Sequence, residues 1–450
     1  MPASLTVSQG SAASQGKDPL LRFALICEIA VAFACLVLFT EGLLPRLFAS
    51  EENPESGFLR LLWLPVYGLV GMGALWKLPQ MFRAALRMPF LLFILLLACA
   101  SVAWSINPEV TERRAVAIVA TTLAGFYLAV RYDWRTLLRL LGAVWIFLAF
   151  ISLGAGLAAP GFGIMDEVHV GAWRGLWWEK NAMGGHMARA AFLCAFLFLM
   201  DKPWRMVWGG GVLLCAALVI LSTSKTALLG LMLGFGVLAG AAWMRRGPVT
   251  TISSIWLGVI LVGAFATVMV VEPGLVFQLL GRDATLTGRT DIWAVLIDAI
   301  GQRPLFGYGY AAFWGAESQP AYMVRLATEW LVPTAHNGWL ETALSIGLVG
   351  LAGFAICYLV MLWRSVLLAF RSWNGVFACG VALQFLLFSL SESIALQQNA
   401  IVWVTFVAVA VKVAIPQRAA SREPKREQVS AVRGERLARM AARPAIVRIR

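Results

Sequence analysis

Residues 332–351 read VPTAHNGWLETALSIGLVGL. From Gly338 the chain stays apolar as far as residue 363, interrupted by one charge, Glu341. A run of about 20 apolar residues is long enough to cross ~30 Å of hydrocarbon as a helix. One of only three histidines in the chain, His336, stands at the mouth of that helix, and Asn337 follows it.

The same apolar character fills most of the 450 residues. Sixty per cent are hydrophobic and 14% charged, with a mean hydropathy of +0.77. Soluble domains carry about 25% charged residues, so this chain cannot hide its apolar mass in an aqueous fold. A spanning β-barrel would show alternating segments of ~10 residues, and none is visible. The reading is an all-α polytopic membrane protein with twelve spans: 22–44, 58–76, 89–105, 115–130, 136–158, 185–200, 205–221, 226–244, 251–271, 338–363, 374–391 and 398–414. Residues 1–21 then form a polar N-terminal tail, 22–271 the first nine spans, 272–337 a long loop, 338–414 the last three spans and 415–450 a basic tail.

Lysine and arginine near the span ends fix the direction. With the N-terminus inside, five short cytoplasmic loops hold twelve basic residues and the short outward loops hold seven. The positive-inside rule then puts both termini in the cytoplasm and the long loop outside, as in a protein of the bacterial inner membrane. The net charge of +13 does not imply a nucleic-acid partner. Eleven of the 37 basic residues lie from Lys412 to Arg450, where attraction to anionic lipid in the bilayer accounts for them. The seven cysteines all fall inside apolar stretches with no CxxC pair, so neither disulfides nor metal ligation is expected of them.

Within the long loop, GRTDIWAVLIDAIGQRPLFGYGY (288–310) carries Ile292, Val295, Leu296, Ala299 and Ile300 at helical spacing, which predicts an amphipathic helix along the interface. Arg303-Pro304 stops it, and GYGY predicts a glycine turn with tyrosines at headgroup depth.

Basic residues outside run against the topology rule, so they are the first site candidates. Lys225 sits in LSTSKTALLG, Arg282 and Arg289 flank DATLTG, and Arg174 and Lys180 lie in the 160–184 connection, with Arg189 a turn inside a span. The bland alternative is snorkelling to lipid phosphate; the functional one is a basic cup for a pyrophosphate, in which arginine offers a fork and lysine a point charge. A neutral imidazole can take a proton from a hydroxyl near neutral pH, which makes His336 the candidate base. Asn337 is a natural N-cap, and Glu341, one turn on, can orient the imidazole or contact water. His169 and His186, with Asp166, Glu167 and Glu179, match no common metal spacing, and no metal or cofactor is expected.

HNGWLETALSIGLVGL resembles the O-antigen ligase and Wzy-type polymerase family, whose mark is an HN-x-x-L-E helix start after a long loop. GRTDIWAVLIDAIGQRPLFGYGYAAFW is similar to its GR-x-x-x-W and P-x-x-G-x-G block, and RGLWWEKNAMGG to its G-x-x-x-x-K-N element. SKTALL, TLTGRT and TAHNGWLE look like the ExoQ-type exopolysaccharide polymerase branch. The resemblance implies metal-independent, inverting glycosyl transfer at the periplasmic face, from a glycan on undecaprenyl pyrophosphate to another lipid-linked repeat unit. It implies His336 as base and Arg289 as pyrophosphate contact. Lys225 falls where ligases often carry arginine. Lys180, Asn181, Arg174, Asn337, Glu341, Arg303 and Tyr308 complete the expected substrate-binding set, with a flippase and a chain-length regulator as partners.

Three alternatives stay open, one of them a non-catalytic assembly partner of a capsule export complex, in which His336 and Arg289 would tolerate substitution. A ligase would pass finished polymer to lipid A-core. A transporter or flippase of the same lipid-linked glycan fits the span count, but transporters carry midplane polar sites. Here Glu28 is the clearest charge inside a span, and the polar chemistry gathers on one face.

Overall fold

The computed structural model describes residues 19–40, 42–48, 57–166, 169–271, 289–315, 317–329 and 331–416. Residues 272–288, and with them Arg282 and the TLTG stretch, lie outside the described residues, as do the first 18 residues and those beyond 416. Ile415–Arg450 is a separate unit.

The described chain is helical. It runs through α1 (Pro19–Leu38), α2 (Leu43–Phe48), α3 (Gly57–Trp76), α4 (Leu78–Ala85), α5 (Pro89–Ala100), α6 (Pro108–Arg131), α7 (Trp134–Ala158), α8 (Pro160–Gly163) and α9 (Lys180–Met200). Then come α10 (Arg205–Leu221), α11 (Lys225–Met244), α12 (Pro248–Val271), α13 (Arg289–Gln302), α14 (Gln319–Thr328), α15 (Gly338–Ala369), α16 (Trp373–Ser389) and α17 (Ile401–Ala414). Among the described residues, eight helices are long and apolar enough to cross a membrane, or nine if a bent pair counts as one span. The chain is an integral membrane protein.

Four of the twelve expected spans lie outside those eight: one, 251–271, falls in the 24-residue α12, several of whose side chains lie outside the described residues, and the other three have identifiable features. The expected span 89–105 is a 12-residue α5 that meets α4 at a 100° bend. Helices α16 and α17 have 17 and 14 residues. At 1.5 Å per residue α17 spans ~21 Å, less than the hydrocarbon thickness. Its residues from Ile401 to Val411 are nearly all buried, so protein rather than lipid surrounds it. The non-helical stretch before it is tied to neighbouring helices: the Asn399 amide donates to Thr121 Oγ1 at 2.8 Å, and Tyr67 OH to Asn399 Oδ1 at 2.8 Å.

The centre of the bundle is α9, packed against α7, α10, α11 and α16. Phe192 on α9 stacks on Phe377 of α16 with ring centroids 5.4 Å apart, and Trp403 and Phe406 of α17 stack at 5.2 Å. At the C-terminal end of α9, Asp201 accepts from Arg135, Arg139 and Trp208 at 2.6–3.0 Å. Glu28, the clearest charge inside a span, forms a two-pronged pair with Arg131 at 2.7 Å and accepts from Tyr127 OH.

Helix α15 is broken. Ile346 and Gly347 leave helical geometry, Gly347 at φ +72°. The segment 304–309 crosses the break and satisfies it: the Tyr308 and Gly309 amides donate to Leu344 O and Ser345 O at 2.8 and 3.1 Å, while Leu348 and Val349 donate to Pro304 O and Leu305 O. Irregular backbone inside a span survives only where protein meets its polar groups. Gly347 is required, because a β-carbon there would fall on Leu305 O. GYGY is the expected glycine turn, with Gly307 and Gly309 at positive φ, but its tyrosines face protein: Tyr308 and Tyr310 are buried at 2% and 3% exposure.

The helix expected at the start of GRTDIW is α13, but its apolar face packs on protein. Ile292, Leu296, Ala299 and Ile300 join Phe313, Val332, Ala335 and Leu344 in one cluster. Trp293 Nε1 donates to Ala335 O at 2.9 Å, fixing the approach to His336.

Candidate functional site

The site lies at the end of the bundle where α9, α11 and α15 begin. Residues 333–337 enter α15 as an irregular strand of backbone, and Asn337 ends it as the N-cap: its Oδ1 accepts from the Trp339 and Leu340 amides at 2.9 and 3.2 Å. Glu341, one turn in, folds back on the entry. Its Oε2 accepts from the Ala335 amide at 2.9 Å and from Ser393 Oγ at 3.3 Å, and its Oε1 from Trp314 Nε1 at 2.9 Å. The carboxylate thus braces the residue before His336 rather than the imidazole itself.

His336 adopts φ +47°, a left-handed conformation that costs a residue with a β-carbon ~1–2 kcal/mol. Such strain clusters at functional positions. Its Nδ1 lies 3.6 Å from Glu392 Oε2, and Trp339 Nε1 donates to Ser389 Oγ at 3.0 Å, which docks α15 on α16 and so holds Glu392 opposite.

A pocket of about 190 Å³ gathers His336, Glu392, Arg189, His186 and Asn181. Arg189 sits 4.3 Å over the Phe388 ring, with Nη1 3.5 Å from His186 Nδ1. His186 stacks on Trp177 at 4.9 Å. Asn181 Oδ1 accepts from Ser224 Oγ at 2.9 Å and Lys180 Nζ donates to Thr223 Oγ1 at 3.3 Å. The K-N element that opens α9 therefore meets the SKT turn that opens α11, and Lys225 stands at the first position of that helix.

The other sequence candidates lie elsewhere. Arg289 opens α13, and its side chain is outside the described residues. Arg174 donates to Phe162 O and Gly161 O at 3.1 and 3.0 Å, tying its own loop together. Tyr308 OH donates to Ala299 O at 2.7 Å, burial pushes its phenol pKa up, and Arg303 lies over its ring at 5.2 Å. His169 is held below the ordinary imidazole range by burial and by the Lys180 charge, and it does not line the pocket.

Sequence reasoning passed over Glu392, Ser393 and Gln397. They belong to SESIALQQN (391–399), whose middle reads as a bare connection between spans. Their signal was an acid and two amides in a short turn on the same face as His336.

Comparison with known proteins bears on this part of the chain. Residues 210–355 match the family model described as O-antigen ligase. The resemblance carried by the motifs is thereby shown. The matched residues run from α10 to the middle of α15 and contain Lys225, α13, the 304–309 crossing segment and His336. The chain is also 28% identical over 270 residues to the exopolysaccharide production protein ExoQ of Rhizobium meliloti (strain 1021), across 56% of this chain. The match spans 60% of that protein's length.

Proposed function

We propose that this protein is a polysaccharide polymerase that transfers a glycan from undecaprenyl pyrophosphate to the end of a second lipid-linked repeat unit at the periplasmic face of the inner membrane. The observation that carries the reading is the pocket itself: one imidazole with a carboxylate at 3.6 Å from its Nδ1, sharing a cavity with a guanidinium.

In this reaction His336 Nε2 takes the proton of the acceptor hydroxyl while Glu392, facing Nδ1, favours the tautomer that leaves Nε2 free to accept and stabilises the imidazolium. The acceptor oxygen forms a bond to the donor's anomeric carbon on the face opposite the pyrophosphate. The anomeric C–O bond breaks with its electron pair leaving on the pyrophosphate, which inverts the configuration. Fixed cations stabilise that developing charge: Arg189 inside the pocket, Lys180 and Lys225 beside it, and Arg289 by family resemblance. The products are a glycan one transfer longer and free undecaprenyl pyrophosphate. With a good leaving group and one base, neither a nucleophilic side chain nor a metal is called for. A flippase to deliver the donor and a chain-length regulator are the partners such a reaction needs.

The ligase reading shares this chemistry and differs in its acceptor, lipid A-core. Lys225 favours the polymerase, because a lysine lacks the two-pronged donor geometry of the arginine that ligases often carry there. The test is a deletion strain complemented with wild type, His336→Ala or Arg289→Ala, with expression matched and lipid-linked single repeats separated from long chains on gels. His336→Ala should accumulate single repeats and make no polymer. Normal polymer that fails to attach to lipid A would identify a ligase. Full polymer from both variants would leave transport or a non-catalytic assembly role as the better reading.

A further inference from the structure

A second, larger cavity of about 690 Å³, lined by Pro333 and Thr334, adjoins the His336 pocket. Thr334, Ser393 and Gln397 line both, so the two chambers share a rim. The linings differ in kind. The small chamber holds the imidazole and Arg189, the large one Trp314, Tyr310, Arg114, Arg325, Gln398 and Glu341. Each wall carries one carboxylate, Glu392 in the small chamber and Glu341 in the large, so size and lining rather than charge separate them, the large chamber having more than three times the volume. Amides, hydroxyls, an indole and two guanidinium groups around a volume in the ~300–1,000 Å³ range of small-ligand sites are the donors, acceptors and stacking faces that a short oligosaccharide uses.

Building on the polymerase reading, we infer that the large chamber binds the terminal sugars of the acceptor glycan and delivers their reacting hydroxyl across the Thr334–Ser393–Gln397 rim to His336. Arg325 is its anchoring residue. It donates to Trp314 O at 3.0 Å and reaches Val332 O at 3.5 Å, and these bonds use part of a fork with five N–H donors. The arginine therefore both holds the chamber wall and faces the ligand. Donor and acceptor then enter separate compartments, and the rim they share includes Thr334, two residues before the base.

The probe is the lipid-free repeat oligosaccharide released by hydrolysis from the host's own surface polysaccharide, titrated against the full-length protein in lipid nanodiscs. Farnesyl pyrophosphate serves as a short isoprenoid diphosphate control. Arg325→Ala should weaken oligosaccharide binding at least about tenfold, as loss of a charge-assisted contact implies, and leave farnesyl pyrophosphate unchanged. Arg325→Gln, which is shorter and uncharged but still a polar N–H donor, should weaken it similarly if the fork and charge face the sugar, and an unfolding temperature equal to wild type in this variant separates binding from misfolding. Asn181→Ala should do the reverse, and His336→Ala should bind the oligosaccharide as wild type does. Wild-type affinity in both Arg325 variants, competition between the two probes, or no binding by the wild-type protein overturns the inference. Failure of the polymerase reading shows differently: His336→Ala would then still make full polymer in cells, whatever the oligosaccharide titration reads.

Discussion

At the far end of α9 the Asp201 carboxylate, 2% exposed, is held by two arginines and an indole at 2.6–3.0 Å. At the near end His336 keeps a left-handed backbone and meets Glu392 at 3.6 Å, with a guanidinium across the same pocket. Both ends gather opposite charges, but the first has short, aligned bonds on unstrained helices and the second has long reach and backbone strain. Short bonds that saturate a carboxylate hold helices together and leave nothing for a ligand. Longer spacing around an imidazole leaves room for the hydroxyl and diphosphate between which it would work.

The largest expected effect separates the two ends most cleanly. His336→Ala should lower glycan transfer by about 10²–10⁴-fold, the ordinary contribution of a general base, while thermal unfolding of the purified protein in detergent stays nearly unchanged, because alanine keeps the β-carbon that makes φ +47° costly. His336→Gly should unfold at a higher temperature than wild type, because glycine adopts positive φ without cost. A lower unfolding temperature in both variants would mean that His336 belongs with Asp201 as a structural residue.

Next in size is the α15 break that carries the site end. Gly347→Ala combines a positive φ with a β-carbon falling on Leu305 O, and should cost about 3 kcal/mol or more. The expected readout is a large drop in unfolding temperature together with easier proteolysis between residues 304 and 309. An unchanged protein would show that the crossing segment does not need the break.

At the opposite end, Asp201→Asn should cost about 1–3 kcal/mol, with the smaller share from Arg135, which is 58% exposed and screened by solvent. Transfer activity of the folded fraction should not change. The Arg139 hydrogen bonds, followed by those of Arg135 and Trp208, hold the Asp201 carboxyl well below the usual carboxylate range. A depressed folded-state pKa stabilises the protein above the unfolded value, ~3.9, and that stabilisation is lost as pH falls toward the folded value. The stability gap between wild type and Asp201→Asn should therefore be constant above about pH 5 and narrow below about pH 4. A gap that stays constant into acid would remove the pair from the account.

How much of this was legible from sequence follows the same division. Long apolar runs and the period of Ile292, Leu296 and Ala299 are local signals, and they located most helices and α13. The motif around His336 and the cap at Asn337 are local too. The break at Gly347 is not. SIGLVG reads as unbroken span, and only the distant segment 304–309, by bonding its carbonyls and amides, makes the irregular backbone tolerable. Likewise Glu392 lies 56 residues from His336, and their proximity exists because Trp339 docks on Ser389. Hydropathy registers what a residue is and not which backbone it will meet, so the short buried α16 and α17 were read as ordinary spans.

The smallest effect tests whether the near end is held from behind. Glu341 receives three donors on two oxygens, the Trp314 indole shared between both at 2.9 and 3.1 Å and the Ala335 amide and Ser393 hydroxyl on Oε2. Glutamine has the same shape but replaces one oxygen by an NH₂, so one of those donors must face another donor, a mismatch of about 1 kcal/mol or somewhat more. Because Ala335 precedes His336, the misfit should appear as displacement of the base. Glu341→Gln is expected to lower kcat by roughly tenfold with little change in oligosaccharide affinity, while Ser393→Ala, which removes the weakest of the three donors at 3.3 Å, should be milder. If Glu341→Gln instead abolishes oligosaccharide binding and spares kcat, the carboxylate touches the acceptor directly, and the large chamber reaches deeper toward α15 than its bracing role implies.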